Sequence, residues 1–268
     1  MNSDLQYRHV ALACALMAMI FLGACQLDSL KDPIIVPDVE REFYIDLWED
    51  LYPESRELVF KIETIKEQDC VNASISYNLN KTGNTLKLSL NNISAPADCQ
   101  QGPARIFADA SAGRISGGIY TMKLDLKNTV FNEGQLTVSG DAYRLDMNTE
   151  YGFTLRHKNL LRVPEQTLWG YVAYETAEQE SIAADFVQSL RDASTDYDFR
   201  EGYYGYFSVE TAAPVSIHHE GPEAAPHQAF VLKYEGDGTA VRAQIDAFRA
   251  AHGVPFSLKV FNAKGQTW

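Results

Sequence analysis

Three catalytic signatures are missing from this chain of 268 residues: it has no Gly-rich phosphate loop, no Gly-x-Ser-x-Gly elbow and no His-Glu-x-x-His pair. Those absences remove P-loop nucleotide hydrolysis, the hydrolases built on a strand-to-helix nucleophile turn, and the helical zinc proteases as ready-made classes. An enzyme is therefore not the default expectation. Positive charge is also scarce, with 23 Lys and Arg against 36 Asp and Glu and a formal net charge of −13. Phosphate backbones are bound by Lys and Arg neutralisation, so nucleic acid is not an expected partner. The same sign disfavours charge-driven docking on anionic lipid. No apolar run reaches the about 20 residues that a membrane-spanning helix needs; the run from Val10 to Leu22 falls short. Cysteine is limited to four residues.

What is present begins at the N-terminus. Arg8-His9 supplies a short basic start, Val10 to Leu22 an apolar centre, and Gly23-Ala24 small residues before a cut, in the order of a secretory signal. Leu22-Gly23-Ala24-Cys25 resembles the lipobox of bacterial lipoproteins, and the resemblance covers residues 1–25. It implies removal of residues 1–24 and lipidation of Cys25. Acyl chains, each gaining about 0.8 kcal/mol per buried CH₂, would then anchor the chain to a bilayer without a spanning helix. In that class a residue other than Asp after the lipidated cysteine points to the outer membrane, and Gln26 fits. Residues 25–39, with Asp28, Pro33 and Pro37, read as a tether.

Cys14 falls within the signal and Cys25 takes the lipid, which leaves Cys70 and Cys99. In an oxidising envelope they are expected to form a disulfide, stabilising the fold by roughly 3–4 kcal/mol on the chain-entropy account. A two-cysteine metal site and free buried thiols are the alternatives.

Over residues 40–165 apolar and polar residues alternate with period two, as in half-buried strands. Phe43/Ile45/Leu47, Leu58/Phe60/Ile62, Leu86/Leu88/Leu90 and Tyr120/Met122/Leu124/Leu126 are examples, separated by turns such as Asn80-Lys81-Thr82-Gly83-Asn84. About seven strands at this spacing predict an antiparallel β-sandwich domain. The stretch Ile115–Val138, with Gly118, Tyr120, Leu124, Gly134, Leu136 and Val138, resembles the later strands of immunoglobulin-like (Ig-like) domains, without the Cys…Trp…Cys spacing of antibody domains. That resemblance implies an architecture and no function.

A second domain is expected over residues 169–268. Gly170–Tyr174 reads as a strand, and Thr176-Ala177-Glu178-Gln179 matches a capping box. The helix it opens places Ile182, Ala183, Phe186, Val187 and Leu190 on one face. An aromatic strand, Tyr203–Val209, a loop bearing Pro and His, and a strand over Gln228–Tyr234 follow. A second helix from Thr239 buries Val241, Ile245 and Phe248 and stops at His252-Gly253 with Pro255 beyond. Phe256–Phe261 closes the set. The order β-α-β-β-α-β is the ferredoxin-like plan, so the fold class expected is mixed β and α+β.

Candidate sites follow from these placements. His218, His219, Glu220 and His227 carry imidazole and carboxylate ligands suited to zinc or copper, although adjacent histidines do not easily face one ion. Glu49-Asp50, Asp196, Asp198 and Glu201 offer carboxylates for acid–base work, but nothing fixes a separation across a cleft, and a solvated surface is expected for them. If Phe207 and Val209 face the helices, Tyr204 and Tyr206 face the other side of the sheet together with Trp169 and Tyr171. That face either packs against the sandwich or forms an aromatic platform for a peptide, a glycan ring or a partner protein. The reading is a non-enzymatic accessory or binding lipoprotein of the bacterial envelope, with the membrane and an envelope protein or glycan as partners and no cofactor. The alternatives are a metal-handling or hydrolytic periplasmic enzyme using the His218–His227 loop, and a glycan-binding or protease-inhibitor module.

Overall fold

The computed structural model describes residues 39–211, 213–222, 226–252 and 256–268. The expected signal peptide, Cys25 and the expected tether up to residue 38 lie outside the described residues, as do Gly253 and Pro255, expected to close the second helix. Residues Val39–Trp268 form one compact unit, mostly strand with two helices among the described residues.

The first half is all strand. It comprises β1 (Phe43–Tyr52), β2 (Ser55–Thr64), β3 (Gln68–Cys70), β4 (Ser74–Thr82), β5 (Thr85–Ser94) and β6 (Gln101–Ala104). After these come β7 (Phe107–Gly113), β8 (Gly118–Leu126), β9 (Val130–Val138), β10 (Ala142–Met147), β11 (Phe153–Leu155) and β12 (Asn159–Leu161). A four-stranded sheet, β11-β1-β2-β7, and a six-stranded sheet, β12-β10-β9-β8-β5-β4, enclose one hydrophobic cluster. The alternation decides who enters it. Ile45 and Leu47 of β1, Leu58 and Phe60 of β2, Leu86 and Leu88 of β5, and Met122 and Leu124 of β8 are all fully buried.

The sheets depart from a purely antiparallel arrangement. β1 pairs with β11, and β5 with β8, in parallel. The physical reason is the path of the chain: after β5 it leaves to form β6 and then β7, which joins the opposite sheet, so β8 returns beside β5 in the same sense. On that excursion β6 pairs with β3, and the expected disulfide joins Cys70 to Cys99, with Cα atoms 5.6 Å apart.

The second half holds β13 (Thr167–Ala173), α1 (Ala177–Asp192), β14 (Gly202–Tyr203), β15 (Phe207–Glu210) and β16 (Ala213–Ile217), then β17 (His227–Lys233), α2 (Gly238–His252) and β18 (Ser257–Asn262). The Thr176–Gln179 capping box is formed in full, the threonine hydroxyl accepting from the Gln179 amide while the glutamine side chain accepts from the Thr176 amide. Ala183, Phe186, Val187 and Leu190 of α1 and Val241, Ile245 and Phe248 of α2 are buried, as their spacing requires. They pack on one face of the antiparallel sheet β17-β13-β18, against Leu168, Val172, Phe230, Leu258 and Val260. β13 is buried at every position because both its faces are covered. Gly170 at its centre is required by close approach: a Cβ there would lie 2.2 Å from the Lys259 carbonyl oxygen.

One expected strand is absent from that sheet. Residues 203–209 contribute instead to a separate three-stranded sheet, β14-β15-β16. Phe207 therefore does not face the helices; it joins Trp169, Tyr204, Phe261, Leu51, Leu161 and Val163 in a cluster on the opposite face of β13. Leu51 and Leu161 belong to strands of the first half, so the two halves share this core.

Candidate functional site

The cover supplied by β14–β16 creates a groove of about 680 Å³ over the outer face of the sheet β1-β2-β7. Its floor is the other phase of the alternation that built the sandwich core. With Ile45 and Leu47 turned inward, Tyr44, Asp46 and Trp48 turn outward. The register places Asp46 opposite Lys61 and Lys61 opposite Asp109 in one row, and Tyr44 opposite Glu63 and Glu63 opposite Phe107 in the next. Acid, base, acid across three strands is a row of complementary cross-strand pairs.

The wall is held to the floor by specific contacts. Tyr203 donates its hydroxyl proton to Asp46 Oδ2 at 3.2 Å. The same oxygen lies 2.9 Å from His157 Nδ1, and the His157 ring stacks on Tyr203 with centroids 3.6 Å apart. Tyr206 donates to the Glu49 carbonyl at 3.0 Å and its ring sits 4.4 Å from that of Trp48. Lys61 Nζ lies 4.0 Å over the Trp48 ring as a cation–π contact. Gly205, at φ +81°, passes so close to Trp48 that an added Cβ would lie 3.1 Å from its ring. At one end Glu63 accepts from Arg105 at 2.9 Å and from Arg156, whose guanidinium also lies 4.5 Å from the Tyr44 ring centre. Burial and the Asp46 carboxylate push the Tyr203 phenol well above its ordinary pKa, and burial does the same for Tyr206. Both therefore act as proton donors in these hydrogen bonds at neutral pH.

Ser208 Oγ and His218 Nε2 lie 2.5 Å apart at the groove's edge. Burial first, and the neighbouring His157 second, hold the His218 pKa below its ordinary value, so the imidazole is neutral at neutral pH. A nucleophile–base pair works when a third group orients the base; of the carboxylates near His218, Asp46 is engaged by His157 and Tyr203. The Ser208–His218 pair lies at the rim of the groove.

The residues singled out from sequence are dispersed. His218 meets Ser208, and His219 packs 5.4 Å from Trp48 and 5.5 Å from Tyr206. Glu220 accepts from Lys259 at 2.7 Å, and His227 stands at the edge of Tyr171, 6.2 Å away. Among the described residues no three His, Cys, Asp or Glu side chains converge as metal ligands would. The adjacent histidines both line the groove but turn to different neighbours, their amides sharing the Tyr206 carbonyl just past β16. Trp169, Tyr171 and Tyr204 are buried and Tyr206 is half-buried. Trp169, Tyr204 and Tyr206 pack in the cluster shared with the first half, and Tyr171 lies against His227, rather than forming an open platform.

Glu49 is a further correction. It is 1% exposed, not solvated. Its carboxylate accepts from Tyr143 Oη at 2.9 Å and Arg162 Nε at 2.8 Å and pairs with Arg56 at 3.3 Å. Asp196, Asp198 and Glu201 are exposed, as expected. Sequence reasoning missed the groove floor, Asp46, Lys61 and Asp109, and the wall residues His157 and Tyr203. One signal was available: Tyr44 and Trp48 occupy the non-core phase of β1, where a solvated sheet face would carry small or polar residues. Compared with protein-family models, curated proteins and solved structures, the chain matches none.

Proposed function

We propose that this chain is a lipid-anchored protein of the bacterial envelope, of the non-enzymatic accessory or binding class, that holds a partner's polypeptide segment in the groove over β1-β2-β7. The observation that supports it best is the chemistry of the groove. The ring faces of the floor and wall that would stack a sugar are already in use, Trp48 by Lys61 and Gly205, Tyr203 by His157, and Tyr44 by Arg156. What stays available is a pair of opposite charges, the half-buried Lys61 and the exposed Asp109 across from it, beside an apolar ring, Phe107, 65% exposed at the lip. Polypeptide offers both charge signs, backbone donors and acceptors, and apolar side chains in one ligand. The volume is within the roughly 300–1,000 Å³ of ordinary ligand sites.

The lipobox supports the address. On architecture we read the two large sheets as a variant of the Ig-like sandwich. We read β13–β18 as a ferredoxin-like plan that keeps three of its four sheet positions. The order β17-β13-β18, all antiparallel with both helices on one face, supports the latter. So does the single bridge between Thr195 and Lys233, which starts a fourth position before the chain turns away to form β14–β16.

The test is a photo-crosslinking side chain at position 107 of the full chain in native envelopes, with the same side chain at Phe131, equally exposed on the six-stranded sheet, as control. A discrete protein adduct at position 107, lost when Lys61→Glu is added, is expected. Equal labelling at both positions, or labelling indifferent to Lys61→Glu, would overturn the groove assignment. Separately, Cys25→Ala should release the chain from membranes; membrane association unchanged by that substitution would overturn the anchor.

A further inference from the structure

A second concavity, sharing no lining residue with the groove, gathers cations from four distant points of an acidic chain. Arg56 lies near the start of β2, Arg114 just past β7, Arg162 just past β12, and Lys264 just past β18. All four line one cleft of about 760 Å³. Their carboxylate neighbours on its surface are Glu54 and Glu165, so cations outnumber carboxylates there, whereas over the whole chain acids lead by 36 to 23.

The arginines are held from behind. Arg56 contacts Glu49 and donates to the Val163 carbonyl; Arg162 donates through Nε to Glu49 at 2.8 Å and through Nη1 to the Ser139 carbonyl at 3.4 Å. Arg114 is steadied by a bond from Nη2 to the Glu54 carbonyl at 2.9 Å. Each guanidinium carries five N–H donors, so these anchors leave donors over on every one. Among the described residues, neither Arg114 nor Lys264 has an ion-pair partner. Arg56 and Arg162 share the one buried carboxylate, Glu49. Side chains fixed in this way lose little freedom when a ligand arrives, which is the condition under which guanidinium recognition of oxyanions is strong.

We propose that this cleft is a binding site for a compact multivalent oxyanion, a phosphate monoester or a pyrophosphate-type group on a small soluble molecule. Donors brought to one cleft from four chain segments suit an acceptor with oxygens pointing in several directions, which a tetrahedral phosphate supplies and a planar carboxylate does not. Glu54 and Glu165, in the same lining, repel long polyanions and anionic bilayers, which narrows the ligand to a small one.

Isothermal titration of the full chain with inorganic pyrophosphate tests this. Saturable one-to-one binding is expected, weakening as salt is raised. Arg114→Ala and Lys264→Ala, which leave the Glu49 contacts intact, should each weaken it about tenfold, while Arg249→Ala on α2 should leave it unchanged. Thermal melts matching the parent would show that these variants are folded. Absence of binding at millimolar pyrophosphate would overturn the proposal, as would binding equally strong in Arg114→Ala and Lys264→Ala. Binding to phosphatidylglycerol vesicles without any to pyrophosphate would likewise overturn it.

Discussion

Replacing Glu49 by Gln isolates the electrostatic part of the connection between β1 and its surroundings. The carboxylate is 1% exposed, while the side chains of Arg56 and Arg162 retain 19% and 23% exposure. Removing one partner of a fully buried ion pair costs about 3–5 kcal/mol, because the other charge is stranded. Here the stranded arginines reach water on their cleft side, and glutamine keeps an oxygen for Tyr143, so the lower figure of about 3 kcal/mol applies. For a domain of this size about 1 kcal/mol moves the unfolding temperature by roughly 2–4 °C, so a drop of about 6–12 °C is expected. Circular dichroism melts and urea titrations of the parent, Glu49→Gln and Asp198→Asn would measure it. The exposed Asp198 serves as the control, expected within about 0.5 kcal/mol of the parent. Tyr143→Phe alone should cost about 1 kcal/mol, and the double variant should lose less than the sum, since both act on one carboxylate. A Glu49→Gln drop no larger than that of Asp198→Asn would refute this account of the centre.

Substituting Cys99 with Ser should lower stability by roughly 3–4 kcal/mol, the entropy of a loop of this length, and urea unfolding should match that of the reduced parent; an unchanged midpoint would refute it. Trp169→Ala, which opens a cavity in the cluster shared by both halves, should cost about 3–5 kcal/mol in the same urea titration. Gly205→Val should strain a left-handed position and push on Trp48, raising Trp fluorescence exposure to quencher; unaltered quenching would show that the wall does not depend on that close approach. His218 and His219 both have pKa values held below their ordinary 6.5, chiefly by burial. The unfolded chain therefore takes up protons first as pH falls through that value, so stability is full above it and declines below it. The loss between about pH 7 and 5 should be smaller in the His218→Gln/His219→Gln variant than in the parent, and equal slopes would contradict the assignment.

Local grammar was the legible part of this fold. The Thr176 capping box and the 3.6-residue spacing of Phe186, Val187 and Leu190 name a helix and its buried face without reference to anything distant. The period-two rows of β1, β2, β5 and β8 likewise name the residues of the sandwich core. The departures arise where the decision is made by partners far along the chain. Residues 203–209 alternate well enough for a strand of the helix-bearing sheet, but Tyr203 and Tyr206 find hydrogen-bond acceptors on β1, at Asp46 and the Glu49 carbonyl, and the segment goes there. Glu49 reads as surface because it is a carboxylate beside another, Asp50; its burial depends on Arg162, which is 113 residues away. The groove inherits both difficulties, since its floor comes from the first half of the chain and its wall from the second.

β1 carries an unusual concentration of duties for ten residues. Ile45 and Leu47 enter the sandwich, Asp46 and Trp48 floor the groove, Glu49 gathers two arginines, and Leu51 joins the shared cluster. At its end the Leu51 carbonyl is covered by the turn at Gly265, where no side chain would fit. The first of the described strands is thus finished by a turn far along the chain, at Gly265. Contacts of such long sequence separation slow folding: β1 can pair at once with β2, its neighbour in the chain, but its Leu51 end is covered only when Gly265 has been made.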